Sequence, residues 1–426
     1  MNESFLHFIW QFQYFTRNDL KTQTDESVTI FKTGLLNTNA GPDFLQAKIK
    51  IGEIEWVGNI EIHIKASDWF VHQHSSDLAY ENVVLHVVWE NDRPVIRRDG
   101  TVIPTIELRG RVDTQLIAKY KKLINSSSAI PCAKSFASID QLTKLSMLDK
   151  ALLQRLEAKA EVVNELLVEN QHDWLETTYQ LLAKNFGFKI NSDAFLQLAK
   201  SLPFKLLQKH SSNLTQIEAL LFGQAGMLEA KTKDEYLSSL HREYEFLSQK
   251  YSIRESRLEP SQWKFLRLRP ANFPTLRMAQ LASIIHTQRN LFSLILEADS
   301  FEKLLQLFSC ATSPYWQAHY HFANKSKGAI PNLGQSSREN LIINTIVPLL
   351  VAYGKAKDDT RFLDRAMEIL QHIPSENNKI IRVWSELGVA VKSAFDSQAL
   401  IEQYNNFCQK RQCLNCVVGV SIIKPQ

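Results

Sequence analysis

Asp43, Glu61, His63 and Lys65 are the residues of this 426-residue chain whose types and spacing point most directly to chemistry. Asp43 lies in Asn39-Ala-Gly-Pro-Asp43-Phe44, and Glu61-Ile-His63-Ile-Lys65 follows a short distance on. Two carboxylates can hold Mg²⁺ or Mn²⁺, while a neighbouring imidazole or ammonium orients or deprotonates water and offsets developing charge. Histidine suits proton transfer because its ordinary pKa lies near neutrality. The expected catalytic set is therefore Asp43, Glu61, His63 and Lys65, with Asp43 and Glu61 as metal ligands.

These residues need two neighbouring strands to bring them together. Val28–Lys32 reads as a strand, and Phe44–Ile51 with Glu53–Lys65 as a hairpin turning at Ile51-Gly52. Alternation along Glu53–Lys65 puts Glu61, His63 and Lys65 on one face. A two-residue turn there pairs Lys50 with Glu53 and Lys48 with Glu55, which is favourable in charge. Continued without interruption, that register sets Asp43 opposite Ile60, on the wrong face. A one-residue bulge in the second strand, most naturally at Gly58, brings Asp43 across from Glu61. Before the hairpin, the N-terminal stretch Met1–Trp10 reads as an amphipathic helix carrying Phe5, Phe8, Ile9 and Phe12 inward. After it come a short helical segment over Ser67–Glu81, a strand over Asn82–Glu90, and a hairpin around Asp99-Gly100.

Helix, strand, two acid-bearing strands, helix and strand, with Pro42-Asp43 and Glu61-Ile-His63 in place, resemble the core of the PD-(D/E)XK nuclease superfamily over residues 1 to 110. His63 stands where that family has lysine. The resemblance implies a nuclease-like mixed sheet and a metal-dependent nuclease or nuclease-like nucleic-acid-binding protein. It also implies Mg²⁺ or Mn²⁺ on Asp43 and Glu61, and Glu3 as a supporting acid. Over nearly its full length the chain also resembles a bacterial family of unknown function, through Gly41-Pro-Asp-Phe44, Gly58-Asn-Ile-Glu-Ile-His63, Arg269-Pro-Ala-Asn-Phe-Pro274 and Cys413-Leu-Asn-Cys416.

Two further clusters compete for a metal. His63, His72, His74 and His86 fall within 24 residues of a chain with twelve histidines, which opens a zinc-hydrolase alternative. Tyr80 and Asp77 fall on the helix expected after the hairpin, where the nuclease resemblance implies a substrate-contacting residue. Cys132, Cys408, Cys413 and Cys416 offer four thiolates for zinc or an iron–sulfur centre. On a continuous helix Cys408 would lie about 140° from Cys413, so such a site needs the helix to break or end near Asn415. Buried free thiols are the plain alternative.

Beyond Asn125–Pro131 the pattern becomes helical, with Leu142, Leu145, Leu152, Leu156, Val163 and Leu167 in one stripe. Thr232–Glu235 and Ser336–Glu339 carry capping-box patterns. The expected architecture is an α/β domain over 1–124, a linker over 125–139 and a larger all-α domain over 140–426. Seven basic residues between Arg254 and Arg289 stand against two glutamates. Arg269 and Arg277, flanking a helix start near Thr275, are the expected nucleic-acid contacts. The net charge of +4 is too small to require such a partner. A non-enzymatic helical scaffold binding a protein partner is the rival reading. No apolar run reaches membrane-spanning length. The N-terminal segment lacks signal-peptide features, so the reducing cytoplasm is the expected compartment.

Overall fold

The computed structural model describes residues 2–228 and 233–425. It divides into two compact units: 1–149 with 383–389 and 401–426, and 150–382 with 390–400. The architecture is an N-terminal mixed sheet flanked by helices, followed by a larger helical region.

Helix α1, Glu3–Gln11, starts at Asn2, whose side chain accepts from Phe5 N. Phe5, Leu6, Phe8, Ile9 and Trp10 are buried, whereas Phe12 caps the C-terminus and is exposed. Phe12 therefore does not belong to the inward face expected of it. The remaining face carries Glu3 and His7, one helical turn apart. Helix α3, Thr114–Ile124, holds α1 in place. Tyr120 stacks on Phe5 at 4.1 Å and donates to Asn2 Oδ1.

Along the chain before α3 come β1 Val28–Lys32, β2 Leu35–Leu36, β3 Phe44–Ile51, β4 Ile54–Lys65, α2 Asp68–Val71, β5 Val83–Glu90 and β6 Thr105–Glu107. The sheet order is β1-β3-β4-β5-β6, with β2 beside β3. β3 is antiparallel to β4, whereas β4–β5 and β5–β6 are parallel. A parallel neighbour cannot follow through a tight turn, so residues 66–82 must cross over the sheet. That crossover carries α2 and two 3₁₀ turns, His74–Ser76 and Leu78–Tyr80. It closes over a core of Ala66, Trp69, Val83, Val88, Val95 and Ile103. β5 is buried along Val83–Val88, as befits a central strand covered on both faces.

The hairpin departs from its expected register in two compensating ways. Ile51 pairs with Ile54, so the turn is Gly52-Glu53 and not Ile51-Gly52. Lys50 then lies opposite Glu55, yet Lys48–Glu55 and Lys50–Glu53 still meet as ion pairs at 2.9 and 3.1 Å. The irregularity falls in β3, between Phe44 and Ala47, and not at Gly58 in β4. Gln46 takes a left-handed backbone there, with φ of 55°. Phe44 consequently pairs with Ile60, setting Asp43 level with Glu61. Gly58 has a different duty. A Cβ on it would lie 2.4 Å from Val84 Cγ1 and 2.8 Å from Asn82 O, so its bare backbone lets β5 approach.

In the second unit, Thr232 of the first capping pattern lies outside the described residues. The helix Glu235–Tyr251 is capped by Asp234, which accepts from Tyr236 N and Leu237 N. The second pattern is not used as a cap. The helix Gln335–Leu341 begins after Gly334 and has no side-chain cap, which places Ser336 inside it.

Candidate metal centre

The two acids hold each other in place through backbone groups. Asp43 N donates to Glu61 Oε2 at 3.1 Å, and Ile62 N donates to Asp43 Oδ2 at 2.9 Å. Each carboxylate thus keeps one oxygen directed elsewhere. Glu61 is buried, and its other oxygen, Oε1, lies 3.2 Å from His74 Nε2 and 3.6 Å from His63 Nε2. Asp43 Oδ2 lies 3.2 Å from His7 Nε2, supplied by α1. Among the described residues, no lysine or arginine pairs with either acid. Burial pushes the Glu61 carboxyl above its usual range; the His74 contact opposes this and the Asp43 charge adds to it.

Around the acids the imidazoles form a second layer. His63 Nδ1 meets His86 Nε2 at 2.9 Å, and His63 Nε2 meets His72 Nδ1 at 3.1 Å. His86 comes from β5, directly beside Glu61 in the parallel register. His72 and His74 come from the crossover, separated by Gln73 in a left-handed conformation with φ of 60°. That conformation is uncommon for a residue with a side chain, and here it lets two residues so close in sequence reach one point. His63, His72 and His74 each offer a ligand atom within 4.8 Å of the other two.

Two of these imidazoles, His63 and His86, are held as neutral bases. Burial drives the pKa of His63 down to about 2, with His86, His74, His72 and His7 adding to the effect. His86, wholly buried, is lowered to about 3 by burial and then by His74. Neutral imidazole is the metal-binding form. Buried ring nitrogens are also left without hydrogen-bond partners: His74 Nε2, His7 Nε2 and His86 Nδ1. His74 Nε2 faces Glu61 Oε1, but without hydrogen-bond geometry. Tyr80 stacks on His74 at 3.8 Å, and burial pushes its phenol up to about 12, so it keeps its proton at neutral pH. Glu3, half-buried on α1, has its carboxyl raised by burial and feels His72, Asp43 and His7.

The spacings suit a metal shell. Ligand nitrogens about 2.0–2.1 Å from a tetrahedral zinc lie about 3.3 Å from one another. The His63–His72, His74–Glu61 and His63–Glu61 separations are 3.1, 3.2 and 3.6 Å. A set of three imidazoles and one carboxylate fits zinc or another first-row transition ion better than Mg²⁺, which prefers oxygen ligands and water.

The remaining expected site residues lie elsewhere. Lys65 is exposed at the end of β4, where its backbone N donates to Asp68 Oδ2. In the second unit Arg269 is exposed, but Arg277 is buried within Pro274–Thr287. Its guanidinium donates to Gln280, Asn272 and Ser337 and stacks on Phe188, so these neighbours occupy it. Arg254, Arg257, Lys264, Arg267 and Arg289 are exposed along with Arg269. His7 was missing from the sequence reading; its only advance sign is its one-turn spacing from Glu3 on the helix ahead of the acids.

A family model described as a protein of unknown function, DUF2851, matches residues 3–379. The chain belongs to this family. No curated protein and no solved structure matches it. Among the described residues, no helix is long and apolar enough to cross a membrane.

Proposed function

We propose that the chain is a metal-dependent hydrolase of nucleic-acid phosphodiesters, with its ion held by Glu61, His63, His72 and His74 and with Asp43 alongside. One observation carries the reading: Asp43 and Glu61, fastened by backbone groups, stand beside His63, His72 and His74, and the His63–His72, His74–Glu61 and His63–Glu61 separations match edge lengths of a tetrahedral metal shell. The fit rests on the donors themselves. No lysine or arginine among the described residues compensates the two carboxylates, and His74 Nε2 is buried beside Glu61 Oε1 without hydrogen-bond geometry. When bound, a divalent ion supplies charge for a phosphoryl oxygen and lowers the pKa of water.

The chain's own groups supply the rest. His86 fixes the His63 ring through Nδ1 and leaves Nε2 to face the pocket. His7, oriented by Asp43 at 3.2 Å, is placed to take a proton from water. Tyr80 retains its proton and can donate one hydrogen bond toward the leaving oxygen. His72, the exposed member, marks the side on which a phosphate enters. The preference for nucleic acid is supported by the strand order, with one acid just before β3 and the other on β4, and by the exposed basic residues between Arg254 and Arg289.

The test uses chelated full-length protein reloaded with zinc, manganese or magnesium and offered mixed single- and double-stranded DNA and RNA. Cleavage restored by zinc or manganese, and absent in Glu61→Ala, is expected. Stoichiometric metal binding with no cleavage of any substrate would leave the ion a structural one and favour the scaffold reading.

A further inference from the structure

A second pocket of the first unit gathers Cys132, Cys408, Cys413 and Cys416, four of the five cysteines in the chain. All four are buried, while Cys310 lies apart in the second unit, with its sulfur beside Thr287. The chain is bent specifically at this point. Residues Gln403–Cys408 form a π-helical turn, the helix then stops, and a new one starts at Val417. Arg411, in the reversal between Cys408 and Cys413, adopts a left-handed φ of 54°. That break is what an unbroken helix would have forbidden, and it lets Cys408 reach the same pocket as Cys413 and Cys416.

Two contacts tighten the convergence. The Arg411 guanidinium donates to Ser126 O at 2.7 Å and Ser128 O at 3.1 Å, drawing the segment that leads to Cys132 against the C-terminal turn. Gly419 packs so closely that a Cβ there would lie 2.1 Å from Cys413 O. Inside the pocket the buried Gln403 amide donates to Cys416 Sγ at 3.2 Å and reaches Cys408 Sγ at 4.0 Å. Burial raises Cys132 to about 12 and Cys413 to about 11, and raises Cys408 as well; neighbouring cysteines add to each rise.

We infer that these four cysteines hold an iron–sulfur cluster. Four thiolates are the ligand set for such a centre, and an amide N–H aimed at a ligand sulfur is the outer contact that tunes it. A zinc ion is the rival occupant. Tetrahedral zinc at about 2.3 Å from each sulfur needs sulfurs about 3.5–4 Å apart. Among the described residues, the three-ligand set within 4.8 Å is the imidazole one, not a cysteine one. Among the described residues, no three of these sulfurs are grouped within 4.8 Å of one another, a wider spread than one zinc ion's shell. The centre would be structural, clasping the turn after Cys408 to residues 126–132, independently of the acidic pocket.

Full-length protein purified without oxygen and reconstituted with ferrous iron and sulfide provides the test. Iron and acid-labile sulfide in equal amounts, with visible charge-transfer absorption, are expected. Cys408→Ser and Cys413→Ser should lose the absorption, and Cys310→Ser should keep it. Zinc without sulfide, or neither metal in the wild-type protein, would overturn the inference whether or not the serine variants fold.

Discussion

Two buried glutamates, one in each unit, sit in opposite kinds of surroundings. Glu218, wholly buried in the helical unit, accepts from Tyr236 Oη at 2.9 Å and Ser313 Oγ at 2.8 Å, and Trp316 Nε1 donates to that same phenol at 2.9 Å. Neutral donors meet its lone pairs, and burial raises its pKa to about 7. Glu61 instead faces His74 Nε2, which lacks a hydrogen-bond partner, and His63 Nε2, which meets His72. A structural carboxylate is surrounded by hydroxyls that close the network. A ligand carboxylate is surrounded by lone pairs that leave it open. The contrast is sharper than burial alone, since both side chains are hidden from water.

The largest expected effect tests whether that openness is functional. Asp43→Ala and Glu61→Ala should each lower phosphodiester cleavage by roughly 10²–10³-fold or more, with circular dichroism unchanged. Undiminished rates in both would remove the acids from the chemistry. Glu218→Gln should leave cleavage and metal content alone.

Next in size is linkage to metal. At zinc about 100-fold above its dissociation constant, the native state should gain roughly 2.7 kcal/mol, read as a shift of the denaturation midpoint. His74→Ala should abolish the gain, and Glu218→Gln should preserve it. A gain surviving in His74→Ala would place the ion elsewhere.

The two sites also predict opposite pH trends in chelated protein. Glu218 has a folded pKa near 7 against an ordinary 4.5. Its contribution is present below pH 4.5 and lost as pH rises toward 7, on the order of 3 kcal/mol. His63 and His86 have folded pKa values of about 2 and 3 against an ordinary 6.5. The unfolded chain takes up their protons first, so stability falls as pH drops below 6.5. Urea titrations of Glu218→Gln and His86→Gln between pH 4 and 8 should each flatten only its own side of the profile.

Smallest is Tyr80→Phe, expected to slow cleavage a few-fold without altering metal content, because its contribution is one hydrogen bond. A matching loss of metal would make its stacking on His74 the important contact.

Much of the sheet was readable from alternation alone. Val28–Lys32 and Phe44–Ile51 match the observed strands, and the need for a bulge followed from the acids' parity. Its location did not, because Gly58 looked like a bulge glycine, whereas its bareness serves β5, a partner distant in sequence. The histidines were visible as a cluster, but their convergence depends on the left-handed Gln73, which is a property of the crossover's path and not of local propensity. Arg277 read as surface charge because periodicity shows which helix face is apolar, not which polar residue a neighbouring loop will cover. The return of residues 383–389 and 401–426 to the first unit is a long-range event that leaves no local pattern.

Gln46 carries a consequence of its own. A strand's faces alternate like odd and even numbers, and one extra residue changes the parity of everything before it. Deleting Gln46 would leave the charge, the hydrophobic content and the turn at Gly52-Glu53 as they are. Counted back from the Ile51–Ile54 pair, Asp43 would even then meet Glu61, because the extra residue is the one left out of the ladder; drawn into the ladder instead, Gln46 would set Asp43 level with Ile62, on the opposite side of the sheet from Glu61. The outward bulge of a single uncharged residue without a catalytic atom thus decides whether the two acids meet.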